Sequence, residues 1–309
     1  MKNPAAAVKK VSMKKYHFYY LLMLPGLIYF LVYKYLPMAG IVVAFKDVMP
    51  FDGLERMLAA PFVGLKHFIS FFSSIYFPQL VRNTLIISFM YLCIGFPCPI
   101  ILSILINEVK NTAFKKIFQT ISYLPHFLSM VVVAGMVRNM LSPSSGIVNA
   151  VITLLGGKEI FFLGSNQYIR WVFTWTAVWQ EVGWGSIIYL AALTGVPEEL
   201  YEAAIVDGAN RGQRIWHISI PFILPIISIM LILQIGRLMD AGFERVLLLY
   251  NAMVYENADI IDTYVYRKGL TEMQYSYSTA VGVFKSVIAF ILIMFSNWFA
   301  KKAGQEGLW

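Results

Sequence analysis

Apolar residues gather along this chain in runs of about twenty, divided by polar stretches in which lysine and arginine concentrate. Coiled as an α-helix, such a run spans the hydrocarbon core of a bilayer. A sliding window of about nineteen residues places six candidate spans, at 19–36, 83–107, 119–141, 169–194, 216–236 and 280–300. The pattern predicts an all-α membrane protein with six transmembrane helices. Pro25, Pro97, Pro99 and Pro125 fall in or beside these spans and predict kinks, which a bundle tolerates when neighbours satisfy the freed carbonyls.

Composition agrees with lipid as the solvent: of 309 residues 59% are hydrophobic and only 14% charged, where soluble domains carry about a quarter charged. The net charge of +8 raises the question of nucleic acid, but the basic residues cluster at the ends of apolar runs, which points to the membrane surface instead. With six spans both termini share one side, and the connections on that side hold Lys110, Lys115, Lys116, Arg211 and Arg214, with Lys301 and Lys302 in the tail. The opposite connections dilute their cations among acids and aromatics, so the positive-inside rule predicts cytoplasmic termini.

The expected partition is a basic cytoplasmic tail over 1–18, a first helix over 19–36, an extracytoplasmic loop over 37–82, a five-helix permease core over 83–300 and a cytoplasmic tail over 301–309. The core includes a cytoplasmic connection over 195–216 and an extracytoplasmic loop over 237–279. The first apolar run, preceded by Lys9, Lys10, Lys14 and Lys15, is too long and aromatic for a cleaved signal, and is expected to remain as a helix.

Motifs for chemistry are missing. Gly156, Gly157 and Lys158 lack the earlier glycine and following hydroxyl of a phosphate-binding loop, and Ile188 stands where a dinucleotide fingerprint begun by Gly183 and Gly185 needs glycine. His17, His67, His126 and His217 are scattered, and Cys93 and Cys98 lie in an apolar run, so no metal site is expected. The chain reads as a non-enzyme with no cofactor of its own.

The connection before the fifth span is dense in local signals. Pro197 suits a first helical position, Glu198 and Glu199 favour a helix N-terminus, residues 200–206 continue the helix and Gly208 can end it in a left-handed conformation. A second short helical stretch is expected from about Arg211, with Pro221 and Pro225 marking the start of the fifth span. A two-turn helix is too short to be stable alone, so a partner surface is implied.

Glu202, Ala203 and Ala204, then Gly208, Ile218, Ile220 and Pro221, follow the spacing E-A-A, three residues, G, nine residues, I, one residue, L, P, with isoleucine for leucine. This resembles the EAA motif of ABC-importer permeases. The stretches LPGLIYFLVYKYLPMAGIVVAFKD, FERVLLLYNAMVYENADIIDTYVYRKGL and AVGVFKSVIAF are similar to the LplB-type permeases of oligosaccharide importers, related to the maltose and alginate systems. The resemblance implies a type I ABC-importer permease fold in a bacterial inner membrane. It implies a coupling role for Glu199, Tyr201, Glu202, Ala203, Ala204, Asp207 and Gly208, seated on a cytoplasmic ATPase. It also implies a second, homologous permease in a heterodimer, two ATPase subunits that bind ATP and Mg, and a solute-binding protein delivering an oligosaccharide, with acidic, polysaccharide-derived sugars among the candidates.

A sugar path needs polar groups and aromatic faces inside the bundle. Trp171, Trp175 and Trp179 form one stripe of the fourth span, followed by Gln180 and Glu181. Packing or an interfacial belt explains such tryptophans equally well. Gln234, Arg237, Asp240, Glu244 and Arg245 crowd the end of the fifth span, as vestibule or as salt-bridged helix end. Asn83 opens the second span, and Lys285 sits inside the sixth, where an ammonium needs a partner such as Glu181 or Glu244. In the 237–279 loop Tyr250, Asn251, Tyr255, Tyr264 and Arg267 compose either a docking surface for a binding protein or a folded cover. An ion-driven secondary sugar transporter and a membrane enzyme acting on lipid-linked sugar are the competing classes. The first would show paired broken helices in an internal repeat, the second clustered carboxylates or histidines.

Overall fold

A computed structural model of the chain describes residues 16–302 and Gly304; the tail lysines before Tyr16 lie outside the described residues. Those residues form helices and no strand, apart from a single bridge between Lys46 and Phe62. The long elements are α1 (His17–Phe45), α4 (Tyr76–Asn107), α8 (Ile169–Leu193), α10 (Arg211–Gly236) and α14 (Tyr275–Lys302). Between them lie α2 (Leu54–Ala59), α3 (Lys66–Phe72), α5 (Thr112–Phe127), α6 (Met130–Met140), α7 (Ile147–Leu154) and α9 (Glu198–Val206). The last long connection carries α11 (Phe243–Leu249), α12 (Tyr255–Ala258) and α13 (Ile261–Tyr266).

Four helices, α1, α4, α10 and α14, are long and apolar enough to cross a bilayer, and α5 with α6 would add a fifth as a bent pair. The expected single span at 119–141 is thus broken, its halves meeting at 102°. The cause is local. Pro125 cannot continue the ladder, Leu128 is extended, and Ser129 starts a new helix by accepting from Val132 N–H. The freed carbonyl of Leu128 accepts from Gln180 Nε2 at 3.2 Å.

The helix α8 occupies the expected fourth span but is less apolar, and it is the most enclosed helix of the bundle. Its buried positions run from Ile169 to Leu193 and include Phe173, Ala177, Gln180 and Ser186. Protein contacts with α4, α5 and α10 therefore take the place of lipid around much of it. Gly183 makes the closest approach possible: a Cβ there would stand 1.9 Å from the Ser122 carbonyl oxygen of α5, and one on Gly185 would press on the Pro99 ring at 3.1 Å. Both glycines serve packing.

The first helix extends past the expected 19–36 boundary to Phe45. A wider turn allows it. Among the long helices three contain a π turn, Leu31–Tyr35 in α1, Tyr91–Gly95 in α4 and Ile215–Ser219 in α10. Each ends two residues before a proline: Pro37, Pro97 and Pro221. Proline lacks the N–H an α turn would use and crowds the carbonyl four residues back; widening the preceding turn moves that carbonyl aside.

At the end of the bundle that carries the 237–279 connection, Phe71, Leu80, Met239, Ile261, Tyr264 and Val281 form one core, with Phe77 and Phe284 edge-on to Phe71 at 5.1 and 5.6 Å. A second core joins Ile87, Val133, Phe173, Val246 and Ile260.

Candidate coupling surface and translocation cavity

The short helix α9 begins one residue later than expected, with Pro197 outside it as the extended cap. It ends in a paired left-handed closure: Gly208 has φ +79°, its N–H donates to Ile205 O at 3.0 Å and Ala209 N–H donates to Ala204 O at 2.8 Å. No residue of α9 is buried, and Leu200, Ile205 and Val206 stand exposed beside Glu199, Glu202 and Asp207. The second stretch is not separate from the fifth span. Asn210 and Gln213 cap each other's backbone, and the helix then runs unbroken from Arg211 through Pro221 and Pro225 to Gly236. The hydroxyls of Tyr201 and Ser219 hydrogen-bond at 2.9 Å, tying α9 to α10.

A cavity of about 610 Å³ opens between α4, α8 and the far end of α10. Glu181, Gln234, Arg237 and Asp240 all reach it, as do Tyr91, Tyr189, His126, Trp184 and Arg245. The chain turns back into the cavity because Ala241 and Gly242 are both left-handed, at φ +45° and +72°. That reversal carries Arg245 over Gly242, where a Cβ would meet its guanidinium at 3.2 Å.

Several candidates stand elsewhere. Trp171, Trp175 and Trp179 do not line the cavity; they are 42 to 55% exposed on the outer face of α8. Gln180 is committed to the α5–α6 break. Asn83, fully buried, donates to Glu256 O and Asp259 O at 3.0 and 2.9 Å and accepts from Arg170 at 2.8 Å, a clamp on the connection rather than a lining group. The partners of Lys285 are neither Glu181 nor Glu244. Its Nζ lies 2.8 Å from both Asp240 and Asp262, beside a second cleft that shares Asp240 with the first.

The tyrosine-rich connection is internally braced. Arg267 forks onto the buried Asp259 at 2.6 and 3.3 Å and lies over Tyr255 at 4.9 Å and Tyr264 at 5.6 Å. Burial works to lower the Arg267 pKa, but the bond and charge of Asp259 prevail and raise it. Tyr250 stacks on Tyr255 at 5.0 Å, and burial, aided by Tyr255, pushes its phenol up to about 12. Asn251 donates to Leu163 O at 2.8 Å, and Tyr264 is turned into the core at 3% exposure. Tyr264 and Asn251 frame the connection instead of facing outward.

Sequence reasoning passed over Tyr91 and Tyr189 and set His126 aside as a scattered histidine, while Trp184 stands at the end of the tryptophan stripe it singled out. Polar tips inside apolar runs were the available signal. His126 Nδ1 meets Glu181 Oε2 at 3.0 Å and its ring stacks on Trp184 at 4.6 Å, pairings that join residues 55 and 58 positions apart.

Residues 68–305 match the family of binding-protein-dependent transport system inner membrane components. The chain is 48% identical over 300 residues to the polygalacturonan/rhamnogalacturonan transport system permease protein YteP of Bacillus subtilis strain 168, covering 97% of this chain and 92% of that one. It is 45% identical to Protein LplB of the same strain, covering 96% and 92%. It superposes with a TM-score of 0.87 and 40% identity on the crystal structure of a bacterial ABC transporter involved in the import of the acidic polysaccharide alginate, over 94% of this chain and 97% of that one. A crystal structure of the bacterial alginate ABC transporter in complex with an alginate pentasaccharide-bound periplasmic protein gives 0.88 and 39%, over 96% and 98%.

The helical bundle and its cavity define an integral membrane permease of the type I ABC-importer fold. The chain belongs to the binding-protein-dependent transport system inner membrane component family, and is a permease subunit of an ABC importer.

Proposed function

We propose that this permease imports oligosaccharides, acidic ones included, across a bacterial inner membrane, with six crossings, both termini cytoplasmic and α9 seated on a partner ATPase. The partition expected from the sequence is kept, with the first helix extended to Phe45. The observation that carries the reading is α9: a nine-residue helix with no buried residue, held at a set angle by the Gly208 closure and the Tyr201–Ser219 bond. A helix so short is stable only on a partner surface, and its small residues Ala203 and Ala204 admit close backbone approach. ATP and Mg belong to that partner, two copies of which would serve this chain and a homologous second permease. One relative is named for polygalacturonan/rhamnogalacturonan transport and the structural neighbours for alginate import, one of them in complex with an alginate pentasaccharide-bound periplasmic protein, which supports the substrate class and a solute-binding partner.

The test is reconstitution in proteoliposomes. Oligogalacturonide uptake is expected only when ATP, the ATPase and the binding protein are all present. Uptake that persists with any one omitted would refute the reading.

A further inference from the structure

The ionic groups that face the main cavity are unevenly partnered. Glu181 takes His126 at 3.0 Å, and Asp240 takes Lys285 at 2.8 Å. Arg237 and Arg245 line the same space, and among the described residues no ion pair includes either of them. Arg245 is the more telling. One nitrogen reaches Phe173 O at 3.3 Å and the guanidinium lies 6.0 Å from the Tyr91 ring, but its buried Nε has no hydrogen-bond partner. A buried donor without a partner is costly to keep. Two backbone residues in the left-handed region, at Ala241 and Gly242, hold it there.

Guanidinium is planar and offers paired donors that match the two oxygens of a carboxylate. Tyr91 lies beside it, and Tyr189 and Trp184 line the same cavity, with phenols and ring faces that suit sugar hydroxyls and pyranose faces. A volume of about 610 Å³ falls inside the usual range of small-molecule sites. A hydroxyl of an uncharged sugar can accept from the Arg245 donor but leaves the guanidinium charge unmatched; the carboxylate of a uronic acid matches both donor and charge.

We propose that Arg245, with Arg237 on the same cavity wall, reads the carboxylate of a uronic-acid unit in transit, making the permease itself a selector of acidic over neutral oligosaccharides. The inference deepens the oligosaccharide reading above and rests on it. Selection then occurs twice, first in the binding protein and again inside the membrane. Glu181 and Asp240 share the cavity wall with the two arginines, and Asp240 is held by Lys285, which it shares with Asp262.

The experiment uses the full complex in proteoliposomes, with trigalacturonate and its fully methyl-esterified form as probes. Each is supplied at concentrations that saturate the binding protein, whose affinity for both is measured separately. Wild type is expected to carry the acid faster than the ester. Arg245→Gln is expected to slow the acid by about tenfold more than the ester, the size of a lost charge-assisted bond, and Arg237→Gln to act in the same direction less strongly. Equal slowing of both probes, or an unaltered ratio, would overturn the proposal. Should Arg245→Gln fail to assemble, Arg245→Lys carries the test: an ammonium lacks the planar fork, so its acid-to-ester ratio must fall below wild type, and an unchanged ratio refutes the assignment. A wild-type complex that carries neither probe refutes the oligosaccharide reading as well. One that carries both equally, with Arg245→Gln without effect, refutes this inference alone.

Discussion

The hydroxyl of Tyr201 lies 2.9 Å from that of Ser219, joining the exposed helix α9 to the widened turn that precedes Pro221 in α10. From that point α10 runs unbroken to Gly236, and Met230 and Gln234 near its far end line the cavity. In the coupling role proposed for α9, a push on it has a short, hydrogen-bonded route into a helix that lines the cavity.

Replacing Tyr201 with phenylalanine removes that bond and leaves the ring. Folding stability is expected to fall by about 1 kcal/mol at most. Sugar transported per ATP hydrolysed is expected to drop further than stability explains. Parallel assays of uptake and phosphate release in proteoliposomes check it; an unchanged ratio would show that the bond transmits nothing.

Gly208 stands at φ +79° with open space where a Cβ would go, so its role is conformational. Gly208→Asn is expected to couple nearly normally, because asparagine tolerates the left-handed region. A β-branched Gly208→Val costs about 1–2 kcal/mol there and is expected to leave the chain inserted but with its ATPase poorly stimulated by loaded binding protein. Phosphate release by the reconstituted complex ranks the two variants, and equal stimulation would contradict the expectation.

The contact of Gly183 with the Ser122 backbone leaves no room for even one carbon. Gly183→Ala is expected to part α5 from α8 and destabilise the subunit by about 2 kcal/mol or more. Thermal unfolding in detergent measures this, with Gly26→Ala as the comparison, since nothing lies within 4 Å of a Cβ at Gly26.

Lys285 holds Asp240 and Asp262 together, with side-chain exposures of 17%, 61% and 18%. Lys285→Met leaves the two carboxylates facing each other and is expected to cost about 2–3 kcal/mol, less than for a wholly buried pair because Asp240 is wet. Adding Asp262→Asn is expected to restore part of the loss. A double-mutant cycle on unfolding midpoints reads the coupling.

Length and apolarity made the helix positions legible in the sequence, and the spacing of Glu202, Gly208 and Pro221 made the α9 segment legible, because those signals are local. The pairings that build the cavity are not. Lys285 finds acids 45 and 23 residues away, and His126 reaches Glu181 across 55. Residues 119–141 looked like one span since composition carries no record of direction; the 102° turn depends on Pro125, Ser129 and a side chain from another helix. Likewise the i, i+4 spacing of Trp171, Trp175 and Trp179 fixes that they share a face without saying which neighbour the face meets.

The widened turns before Pro37, Pro97 and Pro221 each hold one residue more than an α turn. An added residue rotates everything beyond it by about 100° around the axis, so each of these helices has two azimuthal phases. A stripe that faces protein on one side of the proline continues toward a different neighbour on the other, and deleting a single residue from such a turn would swing half a helix out of its contacts.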